Sequence, residues 1–354
     1  MEPLAKPADE SLHLRDIRLN WLIQRFDSTG AYAPWCFAAL FIAASVLMIW
    51  RLEAMSAGGF EGTVLGTLVM PYCSGLGNLI FVFLMGSHAT GGQEVLTNAL
   101  VNNFTNLTLL IGLPTLLWSM NVLPREKENP KKKKKGKGDG KAQQLNRLSL
   151  LLTITAVLFF TGATWALARD GKIDFADGLV LVGLFLFWQC FQIFDVLKSN
   201  VRQSKSFGWG LGIELVLLAV GAGGIYVSTD WLVEWISKAR GGFIRAENLG
   251  WLSGWLMVLP NALLAFYYAR RAKPEVVYTS QIGDGHICIP LCIGIFALRH
   301  PIRVPDFFQT GVLMLLGAAI LHFIFVALLG RLPRWMGAVF CAAYGVFLYL
   351  GLFK

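Results

Sequence analysis

Uncharged polar side chains are concentrated in two hydrophobic stretches of the first half of the chain, residues 62–86 and 93–120. Amides and hydroxyls at this density are costly inside a bilayer unless they face the interior of a helix bundle or a cavity. Their oxygens can bind a cation or a polar solute. The candidate binding residues in this first group are Ser74, Asn78, Asn98, Asn102, Asn103 and Asn106.

A second group of polar residues follows 183 residues later, again in two hydrophobic stretches. Without any gap, Asn261 aligns with Asn78, and His286 aligns with Asn103. Polar positions that coincide in two apolar hairpins indicate an internal repeat. Paired, interrupted hydrophobic segments in the two halves of a chain are a pointer to a binding site in membrane transporters. The candidates in this second group are Asn261, Gln281, Asp284 and His286.

Asp284 is the one clear acid among these candidates, and an ionisable residue in the middle of a membrane span is functional by default. We expect Asp284, Asn78 and Asn261 to be ion ligands. His286 is close to Asp284 along the chain and could titrate near neutral pH, which would suit proton coupling. Packing between helices is the alternative role for individual polar residues, among them Asn103, Asn106, Gln281 and His286.

Catalysis is not indicated by the sequence. The chain shows no nucleophile–base arrangement and no spacing typical of metal ligands, so we expect neither an enzyme nor a bound cofactor. The six cysteines lie in or next to hydrophobic spans, where we expect small packing residues. His322 is alone in an apolar span and is expected to be a hydrogen-bonded packing residue. Glu94, just inside a span, is expected to be interfacial, with a role at an access path from the outside as the alternative.

The composition identifies the elements that must position these residues. Of 354 residues, 55% are hydrophobic and 15% are charged, whereas about 25% are charged in a typical soluble domain. Apolar runs of about 20 residues recur, and no stretch alternates with period two as a membrane barrel would. The sequence therefore predicts an all-α, multi-pass membrane protein with ten spans, at residues 33–50, 62–86, 93–120, 148–167, 175–198, 208–228, 248–270, 276–298, 307–329 and 334–353.

The ten spans divide into five plus five, which places the two polar hairpins at spans 2–3 and 7–8. We divide the chain into an N-terminal amphipathic segment (1–30), a first five-helix repeat (31–200) and a second five-helix repeat (201–354). Because five is an odd number, the two repeats are predicted to insert with opposite orientation. The sixth span is expected to end near residue 228, before an amphipathic stretch from Trp231 to Ala239.

The loop at residues 124–147 carries ten Lys and Arg residues. Short basic loops stay on the cytoplasmic side, so we expect this loop inside and the N terminus outside a cell (inner) membrane. Binding of nucleic acid or lipid by this loop is the less favoured alternative. Segment 1–30 is expected to lie on the membrane surface or to pack on the bundle end. The expected partners are the lipid bilayer and a small cation or small polar solute, without nucleic acid; protein partners are not indicated.

The two hairpins resemble the α-repeats of the cation/calcium exchanger superfamily, which includes the sodium/calcium exchangers. Those repeats run roughly G-T-S-L-P-E and then G-N-x-x-G-S-N-x-x-N/D. Here the first motif is matched by residues 74–78 and the second by residues 97–106, with counterparts at 258–261 and 280–286. The resemblance implies the exchanger fold, with two inverted five-helix repeats around an ion site near the midplane of the membrane.

The departure from the family pattern is one of charge. In the family, the two glutamates of these motifs are the central ion ligands, and both are asparagine here, at Asn78 and Asn261. Calcium prefers six to eight oxygen ligands that include carboxylates, so a nearly neutral cage suits a monovalent cation or a neutral polar solute better. We therefore predict a secondary antiporter for Na⁺, H⁺ or K⁺ rather than Ca²⁺. The alternative is a transport-inactive protein of the exchanger fold that acts as a sensor, scaffold or assembly partner.

Overall fold

The computed structural model describes residues 26–57, 72–73, 75–87, 91–118, 120, 139–199, 210–271 and 273–353. Within these ranges, nine helical segments are long and apolar enough to cross a bilayer, and a shorter apolar helix accompanies them. Each of the ten predicted spans therefore contains helix. The prediction of an all-α, multi-pass membrane protein is confirmed.

The helices follow the hydrophobic runs of the sequence. Those of the first half are α1 (Ala33–Ala57), α2 (Leu76–Met85), α3 (Gly92–Leu107), α4 (Leu109–Trp118), α5 (Asp139–Leu167) and α6 (Phe175–Ser199). Those of the second half are α7 (Gly210–Lys238), α8 (Leu249–Arg270), α9 (Pro274–His286), α10 (Ile293–Ala297), α11 (Asp306–Leu328) and α12 (Arg334–Leu352).

The third and eighth spans are each broken near the middle. Thr108 separates α3 from α4, and its hydroxyl donates to the carbonyl of Phe104 one turn earlier, at 2.5 Å. In the eighth span a π-helical turn, Ile287–Cys292, separates α9 from α10, and it contains Pro290, which has no backbone N–H. By the repeat offset Thr108 corresponds to Leu291, which lies within this turn. Both interruptions thus occur at equivalent places, where the surrounding helices bury them.

The packing of the helices follows a pseudo-two-fold axis. The first helices of the two halves, α1 and α7, pack against each other, as do α5 and α11. The other contacts are reciprocal: α4 packs on α12, the last helix of the second half, while its counterpart α10 packs on α6, the last helix of the first half. The two polar hairpins occupy the centre, where α3 packs on α8 and α2 packs on the eighth span. This pattern confirms two inverted five-helix repeats.

Glycines allow close approach at the two reciprocal contacts. A Cβ atom at Gly337 of α12 would lie 2.5 Å from the carbonyl oxygen of Gly112 in α4. At the equivalent crossing, a Cβ atom at Gly178 of α6 would lie 3.0 Å from the carbonyl oxygen of Gly294 in α10. Small residues at helix crossings are typical of membrane bundles, because they let the two backbones come close together.

Short antiparallel pairs join the loops at both ends of the bundle. Strand β1 (Lys172–Ile173), after the fourth span, pairs with β2 (Ile302–Arg303), after the eighth. An isolated bridge between Met120 and Leu332 joins the loops after the third and ninth spans. These two loop pairs are exchanged by the repeat symmetry, so they lie on opposite sides of the membrane.

The predicted end of the sixth span was wrong. Helix α7 continues through Trp231 to Lys238 instead of ending near residue 228. The amphipathic stretch stays helical because its aromatic side packs on α1, with the rings of Trp231 and Phe37 stacked at a centroid distance of 4.3 Å. Leu232 joins Phe37 and Val227 in a small apolar cluster at this contact.

Two predictions fall on residues outside the described ranges. The N-terminal segment up to residue 25 and most of the basic loop, residues 121–138, are not described. The cytoplasmic placement of the basic loop therefore stays a prediction. It would be checked by labelling of a Gly138→Cys variant with an impermeant maleimide, which should not react from outside intact cells.

Candidate functional site

Helix α3 carries a row of polar side chains at four-residue spacing: Glu94, Asn98, Asn102 and Asn106. Residues four apart lie on the same face of a helix, one above the other. The three asparagines are buried, with 2%, 0% and 0% of their surface exposed. The buried part of the row, from Asn98 to Asn106, therefore runs through the protein interior for about two helical turns.

The amides of this row connect α3 to both neighbouring elements of the polar hairpins. Asn98 Nδ2 donates to Ser253 Oγ of α8 at 3.0 Å. Asn106 Nδ2 donates to Asn102 Oδ1 at 3.1 Å, and Asn102 Nδ2 lies 3.5 Å from Asn78 Oδ1 of α2, at the long limit of a hydrogen bond. Three of the predicted candidates, Asn78, Asn102 and Asn106, thus form one amide chain, and Asn98 bonds separately to Ser253.

Glu94 is the acidic residue of the row. One of its carboxylate oxygens accepts a hydrogen bond from the backbone N–H of Gly250 at 2.6 Å. Gly250 is the second residue of α8, where the backbone N–H groups have no partner within the helix and favour a negative charge. Glu94 therefore holds the start of α3 against the start of α8, a structural role that fits its expected place near a span end.

The contact between α3 and α8 depends on small residues. A Cβ atom at Gly254 of α8 would lie 2.8 Å from Val101 Cβ and 3.2 Å from the carbonyl oxygen of Asn98. Gly250 and Gly254 form a G-x-x-x-G spacing, which lets two helices approach closely in a membrane. This approach is what puts Ser253 within reach of Asn98.

We expect Gly254→Val to lower the stability of the purified protein by about 1–3 kcal/mol, because the added methyl groups overpack a full crossing. The measurement is the thermal unfolding midpoint in detergent. Gly183→Val is the matched control, since a Cβ atom at Gly183 of α6 meets nothing within 4 Å. Equal midpoints for the two variants would contradict the close-packing account.

Asn103 lies beside this row and faces a different neighbour. It is 4% exposed, and its Oδ1 atom lies in the space above Gly285 of α9, 2.7 Å from where a Cβ atom would be. Gln281, one turn earlier on α9, is 2% exposed, and its Nε2 donates to Ser280 Oγ at 3.2 Å. Asn103 and Gln281 line a common small cavity, so the structure brings one candidate from each hairpin together.

The remaining candidates are placed elsewhere or are not described. His286 is buried, and its Nε2 donates to the carbonyl of Thr153 at 3.3 Å, with the rings of Phe160 and Trp188 in edge contact. It therefore faces α5 and α6 rather than the amide chain. Asn261 is half-buried on α8. The backbone of Asp284 lies in α9, but its side chain is outside the description, as is the whole of Ser74.

His322 of α11 is a packing residue, as predicted. Its Nε2 donates to the carbonyl of Leu107 at 2.7 Å, and its Nδ1 accepts from the hydroxyl of Tyr278 at 2.8 Å. Leu107 is the last residue of α3, so His322 provides a donor for a helix-end carbonyl next to the break in the third span. The ring also stacks on Phe340 of α12. His322 thereby ties α9, α11 and the broken third span together.

Some polar partners were missed in the sequence. Ser253 was not singled out, nor was a second group in which Tyr344 OH accepts from Trp255 Nε1 at 2.8 Å and from Thr105 Oγ1 at 3.2 Å. Such residues are common in membrane spans, and only the rotation of each helix about its axis decides which of them face one another. The one usable signal was the G-x-x-x-G spacing, because it marks the face of α8 on which Ser253 lies.

The described side chains of the candidate site are almost all neutral amides and hydroxyls. No cluster of three or more His, Cys, Asp or Glu side chains that could hold a metal ion occurs among the residues that the structure describes. Amide oxygens and hydroxyls can replace the water around a cation, but they do not neutralise its charge. The described part of the site therefore offers oxygen ligands that carry no charge of their own.

The comparisons with known proteins bear on the whole chain. A family model described as sodium/calcium exchanger protein matches residues 32–194 and 213–353. A comparison with curated proteins finds no significant match. Among solved structures, the sodium-calcium exchanger NCX_Mj soaked with 10 mM Na⁺ and zero Ca²⁺ is 18% identical, with a TM-score of 0.62 over 91% of this chain and 98% of that chain.

A second structure of NCX_Mj, soaked with 2.5 mM Na⁺ and 10 mM Sr²⁺, gives a TM-score of 0.60 at 18% identity, over 90% of this chain and 96% of that one. At this identity the likeness shows the fold alone. The family model, however, matches one segment in each half of the chain, and the reciprocal helix contacts relate the same two halves. The chain belongs to the sodium/calcium exchanger protein family.

Proposed function

We propose that this protein is a secondary antiporter of the cell membrane that moves a small monovalent cation, Na⁺, H⁺ or K⁺, in preference to Ca²⁺. Membership of the sodium/calcium exchanger family supports cation transport in general. The choice of a monovalent cation is supported by the amide chain and by the residues that replace the family's two glutamates, Asn78 and Asn261.

The observation that carries the proposal is the buried amide chain from Asn106 through Asn102 to Asn78. These side chains are at most 3% exposed, and their amides are linked to one another by hydrogen bonds. Burial of an ion requires that the lost hydration be replaced, and the cost is far larger for two charges than for one. Because the amide chain contains no carboxylate, it would bind a monovalent cation in preference to a divalent one.

The place of the amide chain supports transport rather than simple packing. Asn102 lies in the middle of the third span, which runs from Gly92 to Trp118, and the break at Thr108 is less than two turns away. Discontinuous helices that meet near the midplane at a repeat interface are the usual location of substrate sites in transporters. The two packed hairpins could then expose such a site to one side of the membrane at a time.

The test is the thermal unfolding midpoint of the purified protein in Na⁺, K⁺ and Ca²⁺ at constant ionic strength, and over a range of pH. A ligand that binds only the folded state raises the midpoint. We expect Na⁺ or K⁺ to raise it at concentrations at which Ca²⁺ does not.

Asp284→Asn should abolish the ion-dependent rise, because the substitution removes the one acid among the sequence-predicted ligands with almost no change in volume. If the Asp284→Asn variant responds to ions as the natural protein does, Asp284 is not an ion ligand. A natural protein that responds to Ca²⁺ alone would overturn the monovalent proposal.

A second candidate function is that of a sensor, scaffold or assembly partner that no longer transports. The specific observation in its favour is that both glutamates of the family motif are asparagine here. The dense polar interior argues against it, because a cavity without use would be expected to fill with apolar side chains. No response to any cation in the melting experiment would favour this second function.

A further inference from the structure

A small cavity lies between α3, α5 and α9, to one side of the amide chain. Its volume is about 10 Å³, which is roughly the space that one water molecule needs. Three polar side chains contribute to its lining, Asn103 of α3, Gln281 of α9 and Thr161 of α5. The rest of the lining is Gly285 and aliphatic side chains. We refer to this space as the lateral cavity.

Two carbonyl oxygens at the lateral cavity accept no hydrogen bond from the residues that the structure describes. They are Asn103 Oδ1 and Gln281 Oε1, and both residues are more than nine-tenths buried. The Gln281 amide nitrogen donates to Ser280 Oγ at 3.2 Å, which orients this amide. Two acceptors cannot bond to each other, and a buried acceptor without a donor is costly. The two oxygens therefore need a small donor that reaches both of them.

Water meets this requirement, because one molecule donates two hydrogen bonds and can accept a further one. Buried waters typically make about three hydrogen bonds to otherwise unsatisfied polar groups. The lateral cavity offers two acceptors, and the hydroxyl of Thr161, a residue that is 2% exposed, is available as a donor. The remaining lining is too apolar, and its oxygens are too few, to replace the hydration shell of a cation.

The glycine at position 285 leaves room for this water molecule. A Cβ atom there would lie 2.7 Å from Asn103 Oδ1, so a larger side chain would take the space beside this oxygen. The backbone of Gly285 is helical and is not left-handed, so its conformation does not require a glycine. The close approach of α9 to Asn103 is therefore the reason for a glycine at this position.

We propose that the lateral cavity holds one structural water molecule, which donates to Asn103 Oδ1 and Gln281 Oε1 and accepts from the Thr161 hydroxyl. The water connects one helix of each polar hairpin to α5, which lies outside both motif segments. It gives Asn103 and Gln281 a role separate from ion binding, although the sequence predicted both as binding residues. The water site does not depend on the proposed function.

A density map of the full-length protein at a resolution that shows ordered water tests the proposal directly. We expect one peak in the lateral cavity, about 2.8 Å from Asn103 Oδ1 and from Gln281 Oε1. The peak should be present in NaCl and in N-methylglucamine chloride alike, because a water does not depend on the cation. A peak in NaCl alone, or no peak beside well-defined Asn103 and Gln281 side chains, overturns the proposal.

Thermal unfolding of a Gln281→Met variant gives a second readout, in which the sign of the change is decisive. Methionine keeps the volume but removes the acceptor. In a dry cavity, removal of a bare acceptor would raise the unfolding midpoint, whereas loss of a bond to the water should lower it by about 2 °C or more. Ser280→Ala is the control, because it removes only the exposed hydroxyl that the Gln281 nitrogen contacts. It should lower the midpoint less.

Thr161→Val removes the donor to the water at nearly constant volume and should also lower the midpoint. Thr164→Val is the matched control, since Thr164 is fully buried on the same helix but donates to the carbonyl of Phe160 at 2.8 Å. The double variant Gln281→Met/Thr161→Val should fall by less than the sum of the two single shifts, because both groups bond to the same water. The comparison of Thr161→Val with Thr164→Val stands even if Gln281→Met does not fold.

A higher midpoint for Gln281→Met would indicate a dry cavity and overturn the proposal. A fall for Gln281→Met, with Thr161→Val equal to Thr164→Val, would indicate a direct bond between the two amides and overturn it too. The shifts should be the same in NaCl, KCl and N-methylglucamine chloride at equal ionic strength. If Gln281→Met instead loses a cation response that the natural protein shows, the water site fails and the proposed function stands. If the expected shifts occur in a protein that responds to no cation, the water site stands and the proposed function fails.

Discussion

Glutamate in place of both Asn78 and Asn261 is expected to give the protein a response to Ca²⁺ and to make that response exceed the response to Na⁺. The substitution places acids at the two positions that, by the resemblance of the motifs, correspond to the family's glutamates. Two carboxylates supply the negative charge that compensates for the lost hydration of a dication, which neutral amides do not. The measurement is the shift of the unfolding midpoint in Ca²⁺ against Na⁺ at fixed pH and ionic strength.

The two single substitutions are the controls for this experiment. Each adds half of the charge, so each should give a weaker Ca²⁺ response than the double variant. Because Asn78 is 3% exposed, Asn78→Glu should also be the less stable single variant in the absence of cations. A double variant with no more Ca²⁺ response than the natural protein would show that charge at these positions does not decide ion preference.

Asn102→Leu is expected to cause the largest combined loss of stability and transport. Asn102 is fully buried in the middle of α3, where it accepts from Asn106 and lies within reach of Asn78. Leucine has a similar size but can neither donate nor accept. We expect a loss of about 1–3 kcal/mol in the free energy of unfolding, since the neighbouring amides lose a partner without access to water.

Thr115→Val serves as the comparison for Asn102→Leu. Thr115 is also fully buried in the third span, but its hydroxyl donates to the carbonyl of Ile111 in the same helix at 2.7 Å. Loss of the Thr115 hydroxyl should therefore lower the stability only slightly and leave transport intact. If the Asn102→Leu variant transports ions at the same rate as the Thr115→Val variant, the amide chain serves helix packing and is not part of the ion path.

Most of the fold could be predicted from hydrophobic patterning alone. Apolar runs of sufficient length gave the spans, and coincident polar positions in the two hairpins indicated the repeat before any contact was known. The end of α7 could not be predicted in this way. The stretch after residue 228 is amphipathic, and only its packing on Phe37 of α1 shows that it continues the helix.

The candidate site could be predicted as a set of residues, but not as an arrangement. Asn98, Asn102 and Asn106 share a helix face, which four-residue spacing already indicates. The separation of Asn103 from that row also follows from helix geometry, but that Asn103 lines a small cavity together with Gln281 depends on how α3 and α9 are rotated against each other. His286 aligned with Asn103 in the repeat, and yet its ring lies among aromatic side chains of α5 and α6.

Ion flux in vesicles that contain only the purified protein tests the central proposal most directly. Vesicles loaded with NaCl would be diluted into medium with isotopic Na⁺ or isotopic Ca²⁺, with a pH-sensitive dye inside and protein-free vesicles as the baseline. The account predicts uptake of isotopic Na⁺, by exchange with internal Na⁺ or with protons, and no uptake of Ca²⁺ above the baseline. Uptake of Ca²⁺ in exchange for internal Na⁺, or no flux of any cation, would contradict it.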